Sequence, residues 1–373
     1  MRTFIFLNAN TYTHHTMSTE TTTSSGVALL AMCASYINTA TRLKHFFVML
    51  DSWINQEDVQ CGLIISTSIV DDAIKAEFDA RLDAFKRKHA AIDTTLTVLV
   101  SRVRKTQFQH YKHILERFPE LVTQNPWIMF TDDDDIWHPK RTMMYHHAIE
   151  FIETTGKTGV DRVSIPYYVE STGTDVKDYA TASEIDLAIT TGTIKRSTCD
   201  TNYVHSCVRL ERLHYFLTHS TDELVQCTYA DVRFEYFVCS EGHERGKESV
   251  TTTEPWADGW LYFYRHVADP KGSITNQKDR LPNCVVYSEE LKHKFDALPA
   301  EHRRALSTIL SNYDLMICMG IKDMDEIRKE DERNHLEGGM SALDIHRNIR
   351  PLYPTVDEFI KHSYYVNLRK HIA

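Results

Sequence analysis

The chain has 373 residues, a formal net charge of −10 at pH 7, 42% hydrophobic residues and 25% charged residues. This length is enough for one large domain or two, and the composition is typical of a globular protein with a sizeable core. Nucleic-acid binding needs a basic face, so an acidic chain argues against a nucleic-acid partner.

The eight cysteines are scattered and form no C-x-x-C pair, which excludes a zinc ribbon and a thioredoxin motif. The sequence also lacks an N-x-[ST] glycosylation site. Together these features favour a reducing, cytoplasmic setting. No apolar run approaches the ~18 residues of a membrane span, and the first ten residues lack the apolar core of a signal peptide. We therefore expect no transmembrane segment.

The predicted elements follow one another regularly after a polar, Thr-rich N-terminal segment at residues 1–26. Short apolar runs typical of buried strands alternate with stretches of helical periodicity. The predicted strands are 26–35, 61–69, 94–101, 126–131 and 160–170, and the predicted helices between them are 36–56, 71–90, 105–119 and 139–154. This alternation predicts an α/β fold, with a mostly parallel sheet flanked by helices.

Farther along the chain, helical patterns return at residues 207–218 and 222–240. Residues 281–373 are charged and helix-like with little strand character. We therefore predict a main domain at residues 27–280 and a helical C-terminal extension at residues 281–373.

Four consecutive carboxylates, Asp132 to Asp135, directly follow the predicted strand 126–131. In open α/β sheets, ligands bind outside the carboxyl ends of the strands. Two unit charges 4 Å apart repel each other by about 1 kcal/mol in water and about 4 kcal/mol at an effective dielectric constant near 20. A divalent cation removes this penalty, and carboxylate oxygens suit Mg²⁺ or Mn²⁺. The alternative is a solvated acidic turn, which the neighbouring Trp137 and Pro139 disfavour.

Other metal and phosphate motifs do not fit the sequence. An EF-hand loop beginning at Asp132 would need an oxygen ligand and a glycine where Ile136 and Trp137 stand. The stretch "TTGKTG" lacks the first Walker glycine, and no G-x-G-x-x-G occurs anywhere.

The stretch "FTDDDDIWHPKRT" resembles the "f-l-D-x-D-D-x-w-x-P-x-K-l" signature of GT-A fold glycosyltransferases, especially the large inverting family 2. The flanking order is similar to that of the family. The stretch "VALLAMCASYINTATRLKHFFVMLDSWINQ" takes the place of the first strand, donor loop and helix. The stretch "TYADVRFEYFVCSEG" resembles the segment that supplies the base, and "WLYFYRHVADPKGSIT" resembles a later "y-R-h" segment. The resemblance covers roughly residues 27–276 and implies a GT-A, Rossmann-like fold.

This resemblance implies a metal-dependent glycosyltransferase that moves a sugar from a nucleotide-diphosphate sugar to an acceptor hydroxyl with inversion. It implies a Mn²⁺ or Mg²⁺ cofactor, a donor among which a UDP-sugar is favoured, and a glycan, protein or small-molecule acceptor. Asp134 and Asp135 would hold the metal, Asp132 would contact the metal site or the ribose, and His266 would be a further metal ligand. Asp231 would be the catalytic base. The remaining residues implied for donor binding are Ala34, Tyr36, Ser66, Arg104 and Arg265.

Three departures from the family pattern leave other functions open. Ser66 and Thr67 stand where the family often has an acid, Ala230 precedes Asp231 in place of a glutamate, and the donor loop is atypical. A non-catalytic nucleotide- or glycan-binding module with the same fold is the first alternative. A metal-dependent phosphohydrolase or nucleotidyltransferase is the second, since paired aspartates also serve phosphoryl transfer.

Overall fold

The computed structural model describes about three fifths of the chain, concentrated in the first 265 residues. The described residues are 28–58, 61–89, 92, 95–157, 159–165, 167–170, 178–194, 196–198, 204, 206–220, 222–226, 230–238, 248–251, 260–265, 289–300, 303 and 306–307. The chain forms two compact units. The first contains residues 1–105, 110–216 and 237–268, and the second contains residues 106–109, 217–236 and 269–373.

A seven-stranded sheet forms the centre of the first unit. Its strands are β1 (Leu29–Tyr36), β2 (Gly62–Ser68), β3 (Leu96–Ser101), β4 (Trp127–Thr131), β6 (Val160–Ser164), β9 (Ser206–Arg209) and β10 (Glu248–Thr251). Their order is β10-β6-β9-β4-β1-β2-β3. All neighbours are parallel except at β9, which runs antiparallel to both β4 and β6. The predicted α/β fold with a mostly parallel sheet is therefore confirmed.

The described helices are α1 (Ala40–Ile54), α2 (Asp72–Lys88), α3 (Gln107–Arg117), α4 (Glu120–Gln124), α5 (Arg141–Thr154), α6 (Ala182–Thr190), α7 (Leu210–His219), α8 (Asp222–Val225), α9 (Ala230–Tyr236) and α10 (Glu289–Asp296). Several begin at residues suited to satisfying the first backbone N–H groups. The Thr39 and Asp71 side chains cap α1 and α2, and Thr181 and Glu184 form a capping box at α6. Pro139, which we expected in the first turn of α5, lies just before that helix.

A smaller, four-stranded sheet has the order β5-β11-β7-β8, where the strands are β5 (Ile136–Trp137), β7 (Tyr167–Glu170), β8 (Arg196–Thr198) and β11 (Tyr262–Tyr264). Because β4 belongs to the large sheet and β5 to the small one, the four aspartates between them link the two sheets. A core of Ile136, Val169, Tyr179, Trp260 and Phe263 packs around the small sheet.

Two predicted elements were wrong. Residues 160–170 are not one strand: β6 and β7 belong to different sheets, with Pro166 between them in the sequence. Proline lacks the N–H that a continuous strand would use, and this was the sign of a break. The helix predicted at 207–218 begins only at Leu210, because residues 206–209 pair with β4 and β6 as β9.

The N-terminal segment 1–26 and the predicted boundary near residue 280 lie outside the described residues. Within the predicted C-terminal extension, α10 is the one described helix. In the described part of the chain, no helix combines the length and the apolar character needed to cross a lipid bilayer.

Candidate active site

The order of strands in the large sheet reverses at β1. Strands β2 and β3 lie on one side of β1, and β4 lies on the other. A reversal of this kind opens a crevice at the carboxyl ends of the two central strands, where α/β proteins bind ligands. Asp132 directly follows β4, and Ser35 and Tyr36 end β1. The sequence-predicted acids therefore lie at the topological switch point of the sheet.

The four aspartates alternate in exposure. Asp133 and Asp135 are fully buried, Asp134 is 7% exposed, and Asp132 is partly exposed. Of the two acids of the predicted D-x-D pair, Asp132 is partly exposed and Asp134 is nearly buried. The intervening and following acids point into the protein and bind protein donors.

Asp135 accepts hydrogen bonds from β11 of the four-stranded sheet and from Arg265, which follows β11. Its Oδ2 accepts a 2.5 Å hydrogen bond from the Tyr262 hydroxyl, and its Oδ1 accepts a 2.7 Å hydrogen bond from the Arg265 backbone N–H. Burial, and then the charges of Asp134 and Asp132, raise the pKa of Asp135 well above its usual range. The Tyr262 hydroxyl also accepts the backbone N–H of Asp132 at 3.0 Å. Tyr262 therefore connects both ends of the acidic segment.

Asp133 is held by β1 and α1. The Ser35 hydroxyl donates to its Oδ2 at 2.6 Å, and Thr67 in β2 donates to Ser35 at 3.0 Å. Arg42, in the first turn of α1, donates from Nη2 to Asp133 Oδ1 at 2.5 Å. Residues of β1 and α1 thus contact the buried Asp133 carboxylate directly, and β2 supports it through Ser35.

Arg42 also bridges to Asp134, because its Nη1 donates to Asp134 Oδ2 at 2.9 Å. Burial raises the pKa of Asp134, Arg42 lowers it, and the neighbouring Asp133 raises it again, so that the pKa of Asp134 ends above its usual value. Burial alone would lower the pKa of the Arg42 guanidinium, but Asp133 and Asp134 raise it above normal. Arg42 is therefore a permanent positive charge between two acids.

Arg265 is buried and makes contacts throughout its guanidinium group. Its Nε donates to the Asp134 carbonyl at 2.7 Å, its Nη2 to the Tyr179 carbonyl at 2.5 Å, and its Nη1 to Asp178 Oδ1 at 3.0 Å. We expected Arg265 to bind a phosphate of the donor. These bonds use three of its five N–H donors and position the acidic segment, and its expected phosphate contact stays a prediction.

Two other predicted donor-binding residues lie together at the carboxyl ends of the strands. The Arg104 guanidinium stacks over the Tyr36 ring at 4.8 Å from its centroid. Arg104 is exposed and Tyr36 is half-buried, and Ala34 is also partly exposed on β1. Ser66 differs, because it is fully buried and its hydroxyl lies 2.7 Å from Nδ1 of His110. To contact a nucleotide base as expected, the Ser66 side chain would have to act from its buried position inside the sheet.

The remaining two predicted residues are Asp231 and His266. Asp231 is half-buried in the first turn of α9, which belongs to the second compact unit. His266 lies outside the described residues. Their assigned roles as base and metal ligand stay predictions.

The donor set at the switch point suits a hard divalent ion. Among the described residues, no group of three His, Cys, Asp or Glu side chains is arranged to hold a metal ion. Mg²⁺ is nevertheless commonly bound by one or two carboxylates together with waters and substrate phosphates, and not by an all-protein cage. Asp132 and Asp134 supply such a pair.

The sequence interpretation missed Arg42, Tyr262 and Ser35. Arg42 could have been noticed, because it is a cation in the first turn of a helix, where the helix dipole disfavours positive charge. Tyr262 had no local indication, since it lies 127 residues from its partner Asp135.

The sequence matches no protein-family model and no curated protein. Several solved glycosyltransferase structures are similar to it at low identity. One is S. aureus TarS, with a TM-score of 0.41 and 12% identity, over 91% of this chain and 55% of that chain. Another is the mannosyltransferase PcManGT from Pyrobaculum calidifontis in complex with GDP-Man and Mn²⁺, with a TM-score of 0.39 and 11% identity, over 92% of this chain and 86% of that chain. A third is M. tuberculosis glucosyl-3-phosphoglycerate synthase in complex with Mg²⁺ and UDP, with a TM-score of 0.34 and 11% identity, over 68% of this chain and 77% of that chain. The present chain spans about half the length of the first of these structures.

Proposed function

We propose that this chain is a metal-dependent glycosyltransferase that moves a sugar from a nucleotide-diphosphate sugar to an acceptor hydroxyl. The observation that carries the proposal is the place of the acidic segment at the switch point, where Asp132 is partly exposed, Asp134 keeps 7% of its surface exposed, and Asp133 and Asp135 are fully buried and hydrogen-bonded. Two carboxylates two residues apart, at the carboxyl end of a central parallel strand, suit a metal-diphosphate complex.

In this proposal Asp134 and Asp132 hold Mn²⁺ or Mg²⁺. When bound, the ion neutralises the negative charge that grows on the leaving diphosphate. Asp135 was expected among the ligands, but both of its oxygens accept hydrogen bonds from the second sheet, so we give it the role of fixing the geometry of the loop. His266 remains the candidate for a further ligand.

The nucleotide would lie along the edge formed by Ala34, Tyr36 and Arg104. The Tyr36 ring offers a face for stacking on a base, and Arg104 brings a positive charge to the same place. Asp231 remains our candidate for the base that removes the proton of the acceptor hydroxyl, which an inverting reaction requires on the face opposite the leaving group.

A thermal-shift screen of UDP-, GDP- and dTDP-sugars, each with and without Mn²⁺, tests the proposal. A ligand at 100 times its Kd adds about 2.7 kcal/mol to the free energy of unfolding. We expect at least one nucleotide-sugar to stabilise the protein only when Mn²⁺ is present, and Tyr36→Ala to reduce that shift. Failure of every nucleotide-sugar to stabilise the wild-type protein with Mn²⁺ would remove the proposal.

The same screen, followed by product analysis, separates the alternatives. A binding module would show the shift without any release of nucleoside diphosphate. A phosphohydrolase would release free phosphate. If nucleoside diphosphate is released, an Asp231→Asn variant with full activity would eliminate Asp231 as the catalytic base.

A further inference from the structure

Arg42 occupies a place in the acidic segment that the proposed metal also needs. Its two terminal nitrogens bind Asp133 Oδ1 and Asp134 Oδ2, at 2.5 Å and 2.9 Å. Asp134 is one of the two carboxylates that the proposed function assigns to the metal. Its Oδ2 therefore already accepts a hydrogen bond from a cation of the chain itself.

The position of Arg42 in the fold indicates that the acids hold it there. It is the third residue of α1, and its backbone N–H donates to the side chain of Thr39, which caps the helix. The N-terminus of a helix carries a partial positive charge and disfavours a cation. Asp133 and Asp134 compensate for this, and the Arg42 side chain is only 17% exposed.

A guanidinium and a divalent ion cannot share Asp134 Oδ2 easily. Mg²⁺ lies roughly 2 Å from its oxygen ligands. An ion at that distance from Oδ2 would lie within a few ångströms of Nη1, which is itself 2.9 Å from the same oxygen. The two positive charges would repel each other strongly at a site with little water.

We propose that Arg42 competes with the divalent ion for Asp134 and so keeps metal affinity low in the absence of the sugar donor. The inference rests on the proposed function only in assigning Asp134 to the metal. Arg42 is a positioning residue in this scheme. It holds Asp133 in place in both states and releases Asp134 when the ion binds.

The test is the affinity of the protein for Mn²⁺ without added nucleotide-sugar. It is measured by calorimetry and by the electron paramagnetic resonance signal of free Mn²⁺. We expect Arg42→Gln to bind Mn²⁺ at least tenfold more tightly than wild type. The matched control is Arg102→Gln, which removes the same charge from the same edge of the sheet. Arg102 pairs with Asp72 and not with the four aspartates. The Arg102→Gln protein should therefore bind Mn²⁺ with the affinity of wild type.

Arg42→Gln removes the ion-pair partner of buried Asp133 and leaves it only the Ser35 hydroxyl, and loss of such a partner is strongly destabilising. The comparison of Asp133→Asn with Asp133→Asn/Arg42→Gln avoids this, because the buried charge is absent from both proteins. The double variant should again bind Mn²⁺ at least tenfold more tightly than the single one.

Equal or weaker Mn²⁺ binding on loss of Arg42, in a background that does bind Mn²⁺, would overturn this inference and leave the proposed metal site intact. Absence of Mn²⁺ binding in wild type and in every variant would overturn both the inference and the metal site of the proposed function.

Discussion

The four consecutive aspartates differ from one another because each meets different neighbours. Asp133 and Asp135 accept hydrogen bonds from Ser35, Arg42, Tyr262 and the Arg265 backbone. These donors relieve the repulsion that four adjacent carboxylates would otherwise suffer. The sequence predicted that a divalent cation would relieve the repulsion. In the structure, the guanidinium group of Arg42 already pairs with Asp133 and Asp134.

Replacing Tyr262 with phenylalanine should lower the free energy of unfolding by about 1–3 kcal/mol. The Tyr262 hydroxyl donates to buried Asp135 and accepts from the Asp132 backbone, so its removal leaves the Asp135 carboxylate and the Asp132 N–H without this partner. Urea unfolding measures the change. Tyr36→Phe removes the same atom from a partly exposed ring and should change stability by less than about 0.5 kcal/mol. Equal stability of wild type and Tyr262→Phe would contradict the linking role of Tyr262.

His110 makes stability depend on pH. Burial, and then the charges of Lys105 and His113, lower the pKa of His110 to about 3. An unfolded histidine has a pKa of about 6.5. As the pH falls below that value, the unfolded chain takes up a proton that the folded protein refuses. The stabilising contribution is therefore fully present above about pH 6.5 and is lost progressively towards pH 3.

We expect His110 alone to lower the free energy of unfolding of the wild-type protein by roughly 2–3 kcal/mol between pH 7 and pH 4.5. His110→Gln should lose less stability than wild type over the same range, as measured by urea unfolding at each pH. His147→Gln, on the exposed side of α5, serves as the control and should follow wild type. Identical pH profiles for wild type and His110→Gln would show that His110 does not carry the effect.

At the scale of single elements, α1 is the helix that joins the sheet to the site. Its cap residue Thr39 accepts the backbone N–H of Arg42 at 3.1 Å, and this fixes the turn from which Arg42 reaches the acids. The opposite face of α1 buries Leu43, Phe46 and Trp53 in the core. The helix is thus anchored at both its cap and its apolar face.

Thr39→Ala should lower the free energy of unfolding by about 1 kcal/mol, because the first turn of α1 loses its capping hydroxyl. Thr39→Ser keeps the hydroxyl and should recover most of that loss. Thermal unfolding of both variants provides the measurement. A Thr39→Ser protein as unstable as Thr39→Ala would mean that the Thr39 methyl group, and not the cap, is responsible.

The sequence predicted elements well where hydrophobic periodicity was long and uninterrupted. The strands and helices of residues 29–154 appear within a few residues of their predicted bounds. Prediction failed where a short apolar run belonged to a different element from its neighbours. Residues 206–209 read as the start of a helix, although they pair as the antiparallel strand β9. Pairing partners distant in sequence decide such cases, and local periodicity does not contain them.

At the scale of the whole molecule, the location of the site was predictable and its internal contacts were not. An acidic segment after a parallel strand has one expected place in an α/β sheet, and it lies there, beside the reversal at β1. The contacts that orient it come from β1, α1 and β11, up to 130 residues away in the chain. No local pattern marked Tyr262 or Arg265 as partners of Asp135.

The central claim is that Asp134 binds a divalent ion that holds the diphosphate of a sugar donor. Its most direct test is the rate of Mn²⁺-dependent release of nucleoside diphosphate from the nucleotide-sugar that stabilises the protein, for wild type and Asp134→Asn. Asp79→Asn, a surface carboxylate paired with Lys75, is the control. The account predicts release that EDTA abolishes, a loss of at least about 100-fold in Asp134→Asn, and no change in the control. Release that is indifferent to EDTA, or a folded Asp134→Asn protein with the wild-type rate, would contradict it.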